Sequence, residues 1–247
     1  MRAFSTLFGV EFRLSLRDMN MPIFAVILPV VVMAVVGMMF GDRPAFDGAG
    51  YTFVAQSVGA VSAISICAGG AMGLPLVVSA YRGRKILKRY FVTPASPGLI
   101  LAVQVAIYSV YALVSAVLVF GVAALFFGYE FAGSWPALAG SYALVLAATL
   151  ALGMMVGGLA PNEKVASVLA CVMYFPMMLL SGATIPYEMM PQAVQRVADL
   201  LPLTQGVKLL KATSLGLPAD QAVVPVVVMA AWAVVCTAVA VRFFKWE

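Results

Sequence analysis

The spacing of apolar positions divides the chain into one short amphipathic segment and a series of long, almost uninterrupted apolar runs. Over residues 1–18, Phe4, Phe8, Phe12 and Leu16 recur every fourth position, while Arg2, Arg13 and Arg17 gather on the opposite face. This predicts a helix lying in a membrane interface with its arginines among lipid headgroups. A plain extension leading into a first span is the alternative. Glu11 falls on the apolar side and interrupts the pattern.

Six runs follow that can cross a hydrocarbon core of about 30 Å at about 1.5 Å per residue. They cover about 21–41, 52–80, 99–128, 136–160, 165–184 and 221–243, which predicts one all-α polytopic transmembrane domain over 1–247. The run at 21–41 is read as a retained span, since a charged, helix-patterned stretch precedes it and no small-residue cleavage site follows. Pro22 starts it and Pro29 predicts a kink within it. The second run would reach about 43 Å as a helix, so it must tilt or protrude. Residues 185–214 are too polar and too broken by proline to cross. They predict a re-entrant or surface helical segment on the external side, with Met189, Val194, Val197, Leu200 and Leu201 on one apolar side.

Composition agrees with lipid as the main solvent. Of 247 residues, 64% are hydrophobic and 10% charged, and the mean hydropathy is +1.04. A soluble globule of this size could not cover such a surface. The net charge of +5 points to membrane orientation rather than nucleic acid, because the basic residues flank the apolar runs. With both termini inside, the inner segments hold Arg2, Arg13, Arg17, Arg82, Arg84, Lys85, Lys88, Arg89, Lys164, Arg242 and Lys245, leaving only Arg43, Arg196, Lys208 and Lys211 outside. The 81–98 loop is therefore read as cytoplasmic.

Enzymatic constellations are missing. Histidine is absent, the three cysteines lie singly in apolar runs, no GxxxxGK[ST] loop exists, and the acids are scattered over loops. The chain is read as binding no cofactor or metal and as no enzyme. The informative segment is 81–98, YRGRKILKRYFVTPASPG, where five basic residues alternate with Ile86, Leu87, Tyr90 and Phe91 ahead of Pro94 and Pro97. A short helix here would present a basic and an apolar face to a cytoplasmic partner. A polybasic loop that fixes topology and touches anionic lipid is an equal reading of the residues.

Leu-Lys-Arg, an aromatic pair and then Thr-Pro-Ala-Ser-Pro resembles the loop between the second and third spans of ABC type-two transporter permeases, the membrane subunits of many bacterial exporters. Residues 175–203, FPMMLLSGATIPYEMMPQAVQRVADLLPL, are similar to that family's signature after the fifth span, and Pro161-Asn162-Glu163-Lys164 resembles its short inner loop. Where the family often has glutamates before the coupling loop, this chain has Tyr81-Arg82-Gly83-Arg84. The resemblance implies a permease in the bacterial cytoplasmic membrane that dimerises and recruits two copies of a separate ATPase, with ATP and Mg on that partner. It places ATPase coupling at Arg84, Lys85, Leu87, Lys88, Arg89 and Tyr90, and an external gate at Ser181, Gly182, Pro186, Pro191 and Pro202.

Two interior faces stand out. On the second span Gln56, Gly59, Ala60, Ala63, Cys67 and Gly70 form a small-residue stripe, read as helix packing. On the fifth, Ser167, Cys171, Tyr174, Met178 and Ser181 share a face that lines either the pathway or the dimer seam. The apolar spans, with no charge deep inside, favour a hydrophobic or amphiphilic cargo such as a drug, antibiotic, peptide or lipid-linked molecule. A carrier not coupled to ATP and a structural scaffold subunit are the rival readings.

Overall fold

The computed structural model describes residues 2–41, 43–46, 48–84, 97–183, 187 and 190–243. Among these residues the only β pairing is an isolated bridge between Pro44 and Thr52. An N-terminal helix, Arg2–Arg17, precedes six helices long and apolar enough to cross a membrane: Ile23–Phe40, Phe53–Gly83, Gly98–Phe127, Trp135–Leu159, Glu163–Leu180 and Asp220–Phe243. Two further helices, Gln192–Ala198 and Pro202–Ser214, lie between the fifth and sixth spans. The chain is thus an all-α polytopic membrane protein.

Local chemistry sets several boundaries. Thr52 caps the second span by accepting from the Ala55 amide at 3.2 Å, and Asn162 caps the fifth by accepting from the Val165 amide at 2.9 Å. The fifth span therefore starts at Glu163, two residues earlier than its apolar run. It ends at Leu180 rather than 184, because Gly182 takes a φ of +81° that turns the chain out of the helix.

Proline shapes the first two spans. A proline lacks a backbone N–H and crowds the carbonyl four residues before it, so Pro29 releases the carbonyl of Ala25. The helix widens there into a π turn, Ile23–Ile27, and the Ser65 hydroxyl donates to Ala25 O at 2.6 Å. A second π turn, Ala68–Gly73, lies two residues ahead of Pro75 in the second span and packs against the first. The expected kink at Pro29 thus takes the form of a wide turn with its freed carbonyl satisfied by a neighbouring span.

The second span is the central post of the bundle and contributes to all three hydrophobic clusters. Its small residues admit other backbones. A Cβ on Gly59 would lie 2.9 Å from the Leu210 carbonyl carbon, and one on Gly70 would lie 2.9 Å from the Thr149 methyl. The stripe from Gln56 to Gly70 is buried throughout, as a packing face requires.

In the segment after the fifth span the short helix stops at Ala198, which is buried, while Val197 and Leu200 are 54% and 72% exposed; Met189 lies outside the described residues. Burial passes instead to Pro202–Ser214, which packs on the second, fourth and sixth spans. Protein therefore covers this non-spanning helix on several sides.

Candidate functional site

The bundle has two ends of different chemistry. At the end where the second span finishes and the third begins, Arg84 closes the second span and lines a cavity of about 830 Å³ with Leu76, Ser79, Asn162, Glu163, Lys164 and Ser167. A neighbouring cavity of about 550 Å³ brings Glu11, Asp18 and Glu163 to one wall system with Arg84, Tyr81, Gln104 and Tyr108. The acids that look scattered along the chain are here gathered by the N-terminal helix and the start of the fifth span.

Arg82 is buried in the last turn of the second span. Its guanidinium donates to the Gly157 carbonyl at 3.1 Å and the Ala160 carbonyl at 2.7 Å, so it closes the C-terminal end of the fourth span. Those carbonyls have no partner within their own helix, and a cation at that end also meets the negative pole of the helix dipole. Glu11 is equally purposeful: its Oε2 accepts from the Tyr81 hydroxyl and from Gln104 Nε2, the latter at 3.0 Å. The residue that interrupts the apolar stripe is a buried-side acceptor, and its place on the wrong face was the signal for it.

At the opposite end a cavity of about 510 Å³ opens among the start of the second span, the Pro202–Ser214 helix and the start of the sixth span. Gln56, Ser181, Gly182, Tyr187, Asp199 and Lys208 are on its lining. Lys208 Nζ stands 2.5 Å from Asp199 Oδ1 and 3.7 Å from the centre of the Tyr187 ring. The Tyr187 hydroxyl donates to both Asp199 oxygens, at 3.0 and 2.9 Å, and Gln205 Nε2 donates to the Asp199 carbonyl at 2.7 Å. Burial, ahead of its charged neighbours, raises the Tyr187 phenol above its ordinary value. This cluster is assembled from three separate stretches, and no spacing in the sequence announces it.

The fifth-span face joins the two ends. Ser167 lies on the 830 Å³ cavity and Ser181 on the 510 Å³ cavity, with Tyr174 buried between them and Cys171 and Met178 half-buried. Fourteen helical residues separate the two serines by about 21 Å. The adjacent face, with Val168, Val172, Phe175 and Leu179, is exposed.

Other expected site residues fall differently. Ser181 donates its hydroxyl to the Met178 carbonyl at 2.9 Å and accepts from the Ala183 amide at 3.2 Å, so it finishes the fifth span as well as lining the cavity. Pro191 begins the short helix and Pro202 the buried one, and neither is on the cavity lining. Lys85, Leu87, Lys88, Arg89, Tyr90 and Pro186 lie outside the described residues.

Residues 2–215 match the ABC-2 type transporter family. The chain belongs to that family. Among curated relatives, Nodulation protein J of Rhizobium leguminosarum bv. viciae is 35% identical over 101 residues, 40% of this chain and 38% of that protein. The inner membrane transport permease YhhJ of Escherichia coli (strain K12) is 34% identical over 85 residues, 34% of this chain and 23% of that protein. The matched stretch is thus under two fifths of the length of either relative. As a member of the ABC-2 type transporter family, the chain is a multi-pass membrane protein of a transport family.

Proposed function

We propose that this chain forms the translocation pathway of an ATP-driven exporter for a hydrophobic or amphiphilic cargo: a drug, antibiotic, peptide or lipid-linked molecule. It works as a homodimer in the bacterial cytoplasmic membrane, with both termini on the cytoplasmic side and two copies of the ATPase beneath it. ATP and Mg bind the ATPase, not this chain. The carrying observation is the fifth-span face, which runs from a cavity beside Arg84, at the root of the 81–98 loop, to the polar cavity at the other end. Because that face meets a cavity of one chain at each end, its placement supports the pathway reading over the dimer seam.

In this reading Arg84, Lys85, Leu87, Lys88, Arg89 and Tyr90 dock on the ATPase, the basic groups on its surface acids and the apolar ones in a cleft. Closure of two ATPases on ATP drives the paired loops together and moves the attached second and third spans. Ser181, Gly182 and the turns at Pro186, Pro191 and Pro202 form the external gate. The mean hydropathy of the spans and the absence of a charge on the fifth-span face suit an apolar cargo.

The test is to purify the tagged permease from its native membrane with its ATPase and to reverse Lys88 and Arg89 together to glutamate. ATP-dependent transport is expected to fall about tenfold or more, with hydrolysis no longer linked to it. Retained coupling in the double variant overturns the docking loop, and recovery without any ATPase returns the carrier or scaffold reading.

A further inference from the structure

Glu11 lies on the N-terminal helix, yet its partners lie on both sides of the cytoplasmic loop. Tyr81, in the last turn of the second span, donates to Glu11 Oε2 from the stem that enters the loop. Gln104, near the start of the third span, donates to the same oxygen at 3.0 Å from the stem that leaves it. The two donors also meet each other, with Gln104 Nε2 at 3.2 Å from the Tyr81 hydroxyl. Gln104 is 4% exposed, so water does not readily replace this acceptor.

We infer that Glu11 is a positioning residue for energy coupling: its carboxylate clamps both stems of the loop to the N-terminal helix, so that helix, stems and loop move as one piece. The inference rests on the reading of 81–98 as the ATPase-coupling loop. One oxygen that accepts from donors on two stems ties them at a single point. The N-terminal helix has a second, separate tie to the third span, where the Tyr111 hydroxyl donates to Ser15 Oγ at 2.9 Å and the Phe12 and Tyr111 rings lie 5.8 Å apart. Loss of Glu11 therefore leaves the helix on the third span but removes its hydrogen bond to the second-span stem, which keeps its own contacts to the third and fourth spans. Without the clamp, a push on the loop is spent in bending that stem rather than moving both spans.

Spin-label distances test this in the permease–ATPase complex in lipid nanodiscs, with the native cysteines replaced by alanine. Labels at Val10 and Gly83 report helix against second-span stem, and labels at Val10 and Leu113 report helix against third span; all three positions are exposed. In the wild type the Val10–Gly83 distance is expected to be the same without nucleotide and with ATP plus vanadate. In Glu11→Ala it shifts between the two states by about 2 Å or more, the scale of helix displacements in switching proteins, while Val10–Leu113 stays fixed. Glu11→Gln keeps an acceptor oxygen and restores the wild-type behaviour. A Val10–Gly83 distance that moves in the wild type, stays fixed in Glu11→Ala, or moves equally in Glu11→Gln overturns the clamp. If Glu11→Ala fails to insert, Tyr81→Phe decides by the same criterion. The underlying loop assignment fails separately, through ATPase binding that survives reversal of Lys88 and Arg89.

Discussion

A Cβ added at Gly153 would lie 1.9 Å from the Gly70 carbonyl oxygen, a contact no side-chain adjustment relieves because the obstacle is backbone. Gly153→Ala is expected to destabilise the protein by about 1–3 kcal/mol, read as a lower unfolding midpoint in detergent. Gly121→Ala supplies the control: a Cβ there meets nothing within 4 Å, and alanine in mid-helix is the better helix former, so its midpoint should hold or rise. Arg82 makes the complementary case in a polar group. Arg82→Leu keeps the bulk but strands the Gly157 and Ala160 carbonyls, at a cost of about 1–3 kcal/mol in the same assay. Both residues were visible as a glycine in an apolar run and an arginine at its end, but their partners are about 80 positions away and became known only when the spans crossed.

Among the helices, the prolines explain shape better than periodicity does. Pro29 and Pro75 each follow a π turn, and the carbonyl freed by Pro29 is taken up by Ser65 of the next span. The sequence foretold a disturbance at Pro29 but not which neighbour would repair it. The fifth span carries the functional argument at this scale. Its stripe of Ser167, Cys171, Tyr174, Met178 and Ser181 was legible from helical spacing, and the fold connects its two ends to different cavities. Tyr174 is 5% exposed midway along it. If the stripe is the pathway, Tyr174→Trp narrows it and should reduce transport about tenfold with ATPase docking intact; unchanged transport in a folded variant removes the stripe from the path.

For the whole molecule, six apolar runs and a basic loop were enough to establish an all-α membrane protein, because lipid forces the backbone to satisfy itself within long helices and charge asymmetry follows the loops. The fold adds a closure at the far end, where the connection after the third span meets the end of the Pro202–Ser214 helix. There the Tyr129 hydroxyl donates to the Ser214 carbonyl at 3.4 Å, and burial pushes its phenol from 10.0 up to about 12, partly offset by the Ser214 side chain. The folded state thus holds this proton more tightly than the unfolded chain. The associated stability is complete below pH 10.0 and is lost as pH rises towards about 12. Tyr129→Phe should flatten the decline of the unfolding midpoint over that interval relative to wild type. The sequence by itself determined the number and type of spans, the amphipathic first helix, the basic character of the 81–98 loop and the fifth-span stripe, since each is a local pattern read against a lipid solvent. Only the tertiary structure decided that Glu11 joins both stems of that loop, that Arg82 closes the fourth span, and that Asp199, Lys208 and Tyr187 share a cavity. Those depend on contacts between distant segments, and helix periodicity fixes which face a residue occupies but not which neighbour that face will meet.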